Sequence, residues 1–126
     1  MIVDSDVLIW YMRGNEKARS VVNSLGEFSI SSMTYMEILQ GLRNKEELRI
    51  LRQFMRKHHI RSIPINPEIT ARAIFFLEEY SLSHGMRIGD AVIAATVAIY
   101  GEMLFTANSS HYKMIPNFVF KTFYPA

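Results

Sequence analysis

Asp4, Asp6, Glu37 and Asp90 are the residues of this chain whose type and placement could do chemistry. All four are carboxylates, and each stands beside a helix-start signal that would also explain it. Asp4 precedes the segment from Ser5 and can cap it, with Asp6 favoured in the first turn by the helix dipole. Thr34-Tyr35-Met36-Glu37 fits the capping box, in which the glutamate reaches back to the threonine. Asp90 directly precedes the apolar run Ala91–Tyr100 and reads as its N-cap. Nothing, however, obliges a fold to cap three helices into one spot. Three or four carboxylates at close range repel one another, the more so in a low-dielectric pocket. A divalent cation resolves that repulsion, and an all-oxygen set of this kind suits Mg²⁺ or Mn²⁺. Such an ion can generate hydroxide and stabilise charge during phosphoryl displacement.

The elements that must position these acids can be read from apolar patterning. Met1-Ile2-Val3 lacks alternation, as expected of a strand buried on both faces, and hands over at Asp4 to a helix beginning near Ser5 and ending at Gly14-Asn15. Glu16–Leu25 reads as a second helix and Glu27–Ile30 as a strand followed by Ser31-Ser32. A helical stretch with Tyr35, Met36, Ile38, Leu39 and Leu42 carries Glu37. Lys45–Lys57 is an amphipathic helix, Ile60–Ile65 a strand, and Asn66-Pro67 opens a helix that runs to about His84 before Gly85. Ala91–Tyr100 predicts a buried helix, Met103–Phe105 a strand, Thr106–Tyr112 a polar loop or short helix, and Phe118–Phe123 a last strand. Phe75, Phe76 and Tyr80 read as core. Short strands alternating with helices predict an α/β fold with a small, mostly parallel sheet, and without repeats or linkers the 126 residues read as one domain, 1–126. Asp4 and Glu37 both follow strands, so both should reach the carboxyl edge of the sheet, where open α/β sheets bind ligands.

Composition narrows the class. A hydrophobic fraction of 49% with 21% charged residues excludes disorder, and the absence of cysteine excludes disulfides and thiolate metal sites. The acids in Met1-Ile2-Val3-Asp4-Ser5-Asp6 argue against a signal peptide, and Ala91–Tyr100 is too short to span a bilayer, which takes about 20 residues. A soluble cytoplasmic domain, without membrane attachment, is the expectation. The net charge of +2 is small, but Arg43–Arg61 carries seven Lys or Arg against two Glu.

The sequence resembles a PIN-domain ribonuclease, and more narrowly the VapC-type toxins of toxin–antitoxin pairs. Four segments carry the resemblance, in order along the chain: IVDSDVLI at Ile2–Ile9, SSMTYMEILQGL at Ser31–Leu42, RIGDAVIAATVA at Arg87–Ala98 and LFTANSSHY at Leu104–Tyr112. It implies a three-layer α/β/α PIN-like domain and a Mg²⁺- or Mn²⁺-dependent endoribonuclease that hydrolyses RNA phosphodiesters to 5′-phosphate and 3′-hydroxyl ends. The family's three acids fall on Asp4, Glu37 and Asp90, as catalytic and metal-holding residues, and Asp6 and Asn108 are further candidate ligands. The last motif has no acid where the family often has one; Asn108 offers a neutral oxygen there, and Thr106 and Ser5 offer hydroxyls to substrate. The resemblance further implies a VapB-like antitoxin partner and a homodimer.

Lys45, Arg49, Arg52 and Arg56 recur at helical spacing on one face. With Arg87, Arg49 and Arg52 are candidates for contact with RNA phosphates, which are bound mainly by Lys and Arg. A solvated helix face and an antitoxin contact are the competing readings of the same stripe. A catalytically inactive PIN-like module that binds RNA or protein is the alternative to the enzyme. A phospho-acceptor domain, a third possibility, lacks a convincing pocket lysine.

Overall fold

A computed structural model describes all residues, 1–126. In chain order its elements are β1 (Ile2–Val3), α1 (Ser5–Met12), α2 (Glu16–Ser24), β2 (Ser29–Ser31), α3 (Ser32–Gln40), α4 (Lys45–Lys57), β3 (Arg61–Ile63), α5 (Pro67–His84), α6 (Ile88–Tyr100), β4 (Leu104–Thr106) and β5 (Phe120–Thr122). A 3₁₀ turn at Ser109–His111 lies between β4 and β5. The strands form one five-stranded sheet in the order β3-β2-β1-β4-β5, with every neighbouring pair parallel.

The alternation of strand side chains builds the three layers. Ile2, Ile63 and Leu104 face a cluster formed with α5 and α6, including Ile69, Phe76, Ile93 and Val97. Val3, Ile30 and Phe105 face the opposite way, into a cluster with Val7, Leu8, Val22, Ile38, Leu51 and Phe54 from the first four helices. Helix α6 buries every residue from Ala91 to Val97, so tertiary burial on all sides holds it in place, at roughly 0.8 kcal/mol per methylene removed from water. In α4 only Leu51 and Phe54 are buried, and its charged residues stay in water. Gly85 and Gly101 take left-handed φ values of 66° and 61° at the C-caps of α5 and α6, which turns the chain sharply at both ends of that helical layer.

Two expectations are corrected. Phe75 is 53% exposed and is not core; it sits one position off the stripe of Ile69, Ala73 and Phe76 by which α5 is buried. Helix starts also shift. Ser31 caps α3 by accepting from the Met33 N–H, which puts Thr34 inside the helix rather than at a capping box. Helix α6 begins at Ile88, so Asp90 is its third residue and not its N-cap. No helix is long and apolar enough to cross a membrane.

Strand order decides where a site can form. From β1 the chain moves through β2 to β3 on one side, then returns to lay β4 and β5 on the other. The direction of winding therefore reverses between β1 and β4, and a crevice opens outside their carboxyl ends. Asp4 follows β1 directly and donates its backbone N–H to Phe105 O at 2.8 Å, while Thr106 is the last residue of β4.

Candidate acidic site

Asp4 is 4% exposed, and its two oxygens are engaged differently. Oδ1 accepts the Ser5 backbone N–H at 2.8 Å, so the capping role is real. Oδ2 accepts two hydroxyls, Thr106 Oγ1 at 2.8 Å and Tyr112 at 2.9 Å, from residues more than a hundred positions away. Asp6, two residues further on in the first turn of α1, faces the same loop. It accepts the Ala107 N–H at 3.2 Å, Asn108 Nδ2 at 2.8 Å and, more weakly, Thr106 Oγ1 at 3.3 Å. The 106–108 segment is thus tied down by the two aspartates, and Asn108 keeps its own side-chain oxygen free.

Glu37 arrives from α3 and Asp90 from α6, two helices that pack against each other. A Cβ added to Gly89 would lie only 2.7 Å from Glu37 Oε2, so the glycine beside Asp90 is the space the glutamate occupies. Glu37 Oε1 is buried without a hydrogen-bond partner. Asp90 Oδ1 lies 3.4 Å from His111 Nδ1. No Lys or Arg comes within salt-bridge distance of any of the four acids.

The electrostatics follow from that lack of compensation. Burial pushes the Asp4 carboxyl up to about 7 and the neighbouring Asp6 charge adds to the rise, against the opposing hydrogen bonds from Thr106, Tyr112 and Ser5. Asp6 is raised as well, by burial, in spite of its bonds to Ala107 and Thr106. Glu37 is raised by burial, then by Asp90 and Asp6, with a partial offset from the Ser5 hydroxyl. Burial and the Asp4 charge hold the Tyr112 phenol well above its ordinary value, so it stays a donor.

Asp4, Asp6, Glu37 and Asp90 therefore feel one another in a single crevice, with Ser5, Thr106 and Asn108 at its wall. They are not closed on one point: no three acidic or histidine side chains stand at metal-ligating spacing. The residues nevertheless fit a hard divalent cation. The donors are all oxygen, their charge is unbalanced, and one buried carboxylate oxygen has nothing bound to it. Arg49 and Arg52 are not brought to this crevice. They line shallow grooves on α4 with Lys45, Arg56, Tyr35 and Ser62, which no acid of the site enters, and Arg49 is paired with Glu46 one turn away. Arg87 is exposed at the residue before α6 and pairs with no carboxylate. The four acids do not line the cavity of about 630 Å³ between α5, α6 and residues 115–119, nor the grooves along α4.

Tyr112 and Gly89 were not singled out from sequence. A tyrosine ending a polar stretch is the one available hint for the first. For the second it is a glycine set directly before an acid at the head of an apolar helix.

A family model described as the PIN domain matches residues 1–115. Ribonuclease VapC10 of Mycobacterium tuberculosis is 33% identical over 118 residues, covering 90% of this chain and 86% of that protein. A toxin-antitoxin complex from Klebsiella pneumoniae contains a chain that superposes with a TM-score of 0.75 at 25% identity, over 99% of this chain and 97% of that one. VapBC2 from Rickettsia felis, bound to a DNA fragment from its promoter, gives a TM-score of 0.80 at 16% identity over 98% of both chains. The three-layer fold, the crevice at the β1/β4 reversal and the match along nine-tenths of the length agree: the chain belongs to the PIN domain family.

Proposed function

We propose that the chain, as one domain over residues 1–126, is a divalent-metal-dependent endoribonuclease and the toxin of a toxin–antitoxin pair. The observation that carries this reading is the gathering of four carboxylates, unbalanced by any Lys or Arg, where the sheet reverses its winding. Similarity to Ribonuclease VapC10 supplies the substrate class, and the toxin-antitoxin complexes among the structural neighbours supply the partner, a small VapB-like antitoxin. A homodimer acting in the cytoplasm completes the proposal.

Glu37 and Asp90 are the acids with oxygens to spare, and with Asp4 they would hold Mg²⁺ or Mn²⁺. Such an ion supplies a water of lowered pKa and charge to offset that of the phosphodiester. The chain's own residues do the remaining work. Thr106 and Tyr112 fix the Asp4 carboxylate, and Asp6 spends its oxygens holding the 106–108 loop in place. Ser5 and the free oxygen of Asn108 lie where a phosphate or its waters can be bound. Arg87 stands at the rim of α6, while Arg49 and Arg52 would meet RNA only along the outer face of α4.

Purified protein should cleave RNA in Mg²⁺ or Mn²⁺ and not in EDTA, which gel analysis of end-labelled transcripts reads directly. Cleavage in EDTA would remove the metal from the scheme; binding without cleavage in every metal would favour the inactive module, for which the amide at Asn108 speaks. A second expectation separates the site from the fold. Gly89→Ala should leave the melting temperature equal to or slightly above wild type, since alanine favours a helix by up to about 1 kcal/mol over glycine. Because the new methyl displaces the Glu37 carboxylate, kcat should fall by roughly 100-fold, the cost of a misplacement near 1 Å. Unchanged kcat would show that Glu37 has no fixed role.

A further inference from the structure

Tyr112 is a large side chain with no exposure at all, and its hydroxyl makes one bond, to Asp4 Oδ2 at 2.9 Å. The ring is not free to drift. It stacks on Phe118 at 5.6 Å and 14°, belongs to the cluster around Leu104 and α6, and its backbone N–H closes the Ser109–His111 turn on Ser109 O at 3.0 Å. A phenylalanine would satisfy all of that packing, so the hydroxyl itself needs a separate account.

That account lies in the lone pairs of Asp4. A carboxylate oxygen offers two acceptor directions. On Oδ2 both are taken, by Thr106 and Tyr112. On Oδ1 one is taken by the Ser5 N–H at 2.8 Å, and the Ser5 hydroxyl lies at 3.4 Å, too long to claim the other firmly. Only Oδ1 has a direction to give. Mg²⁺, and Mn²⁺ with it, prefer octahedral shells with single carboxylate oxygens and retained water, whereas Ca²⁺ takes six to eight oxygens and often both oxygens of one carboxylate.

We propose that the Tyr112 hydroxyl, together with Thr106, makes Asp4 a one-oxygen ligand and so selects small six-coordinate cations against Ca²⁺. Tyr112 is on this reading a positioning residue that sets cation preference, acting through Asp4. The inference rests on the metal site proposed above.

Calorimetric titration of the full chain, without RNA, with Mn²⁺, Mg²⁺ and Ca²⁺ tests it. Wild type should bind Mn²⁺ and Mg²⁺ at least about tenfold more tightly than Ca²⁺. Tyr112→Phe should weaken Mn²⁺ by about tenfold, the usual loss when a group that orients a ligand is removed. It should also narrow the Ca²⁺-to-Mn²⁺ ratio, because Oδ2 gains a free direction. Thr106→Val, which removes the other donor from the same oxygen, should shift the ratio the same way and serves if the first variant does not fold. An unchanged ratio in the folded variants overturns the proposal and leaves Tyr112 a packing residue, with the metal site intact. No binding of Mn²⁺ by wild type at millimolar concentration overturns the metal site itself, and the selectivity with it.

Discussion

Asp90→Asn should lower divalent-dependent RNA cleavage by at least about 10³-fold, equivalent to ~4 kcal/mol of barrier, while the melting temperature stays close to that of wild type. The contrast between the two readouts follows from how little of the fold depends on this side chain. Its polar neighbour is the exposed His111 at 3.4 Å, and its helix is held by the buried run Ala91–Val97 rather than by a cap. In the first turn of α6 a carboxylate gains roughly 0.3–1 kcal/mol from the helix dipole, which sets the scale of what asparagine loses. Asp4 would be a poorer choice for the same experiment, because Ser5, Thr106 and Tyr112 all bond to it. Thermal melts followed by circular dichroism, beside initial rates on one transcript, are sufficient. Activity within tenfold of wild type would reduce Asp90 to a partner of the helix dipole and remove it from the site.

The second large effect concerns stability, and its direction is opposite to that of an ion-paired carboxylate. Asp4 is held near 7 when folded against 3.8 in the open chain, so between those values the native state keeps a proton that the unfolded state releases. Stability from this group is complete below about pH 4 and is lost as the pH rises towards 7, at up to ~1.4 kcal/mol per unit. Because Asp6 shares the titration, a loss on the order of 2–4 kcal/mol is expected over the window. In EDTA, denaturant midpoints should therefore fall from pH 5 to pH 8. Asp4→Asn should flatten that slope and make the metal-free protein more stable than wild type at pH 8. Mg²⁺ should raise the wild-type midpoint at pH 8 and do little at pH 5, where a protonated carboxyl has no charge to offer. A midpoint that rises with pH in EDTA would mean that the carboxylates are compensated after all.

The same balance explains why some of this protein can be read from its residues and some cannot. Strand and helix identities follow from patterning that tertiary structure reinforces: Asn66-Pro67 starts α5 as its composition demands, and the amphipathic α4 runs from Lys45 to Lys57 as expected. The helix starts near the acids do not follow, since the site reshapes them. Ile88 and Gly89 look like a loop before Asp90, yet they are in the first turn of α6, with the glycine making room for Glu37. Thr34 and Glu37 have the spacing of a capping box, but Ser31 already caps that helix, which leaves Glu37 free for the crevice. Tyr112 is invisible for a different reason. Its significance is a contact with a residue 108 positions earlier, and no local pattern announces a pairing at that separation. The basic stripe of α4 is fully legible as a stripe, but neither spacing nor charge says which way a helix faces relative to a distant pocket.

The placement of β1 at the centre of the sheet carries a consequence for synthesis. The carboxylate at its end is presented by residue 4, but the strand that flanks it and the hydroxyls that hold it come from residues 104–112. Chains are made from the amino end and fold as their partners emerge. The polypeptide therefore carries Asp4 for 102 residues of synthesis before the hydroxyl of Thr106 that fixes it exists, and the groove closes only once residues 104–112 have emerged.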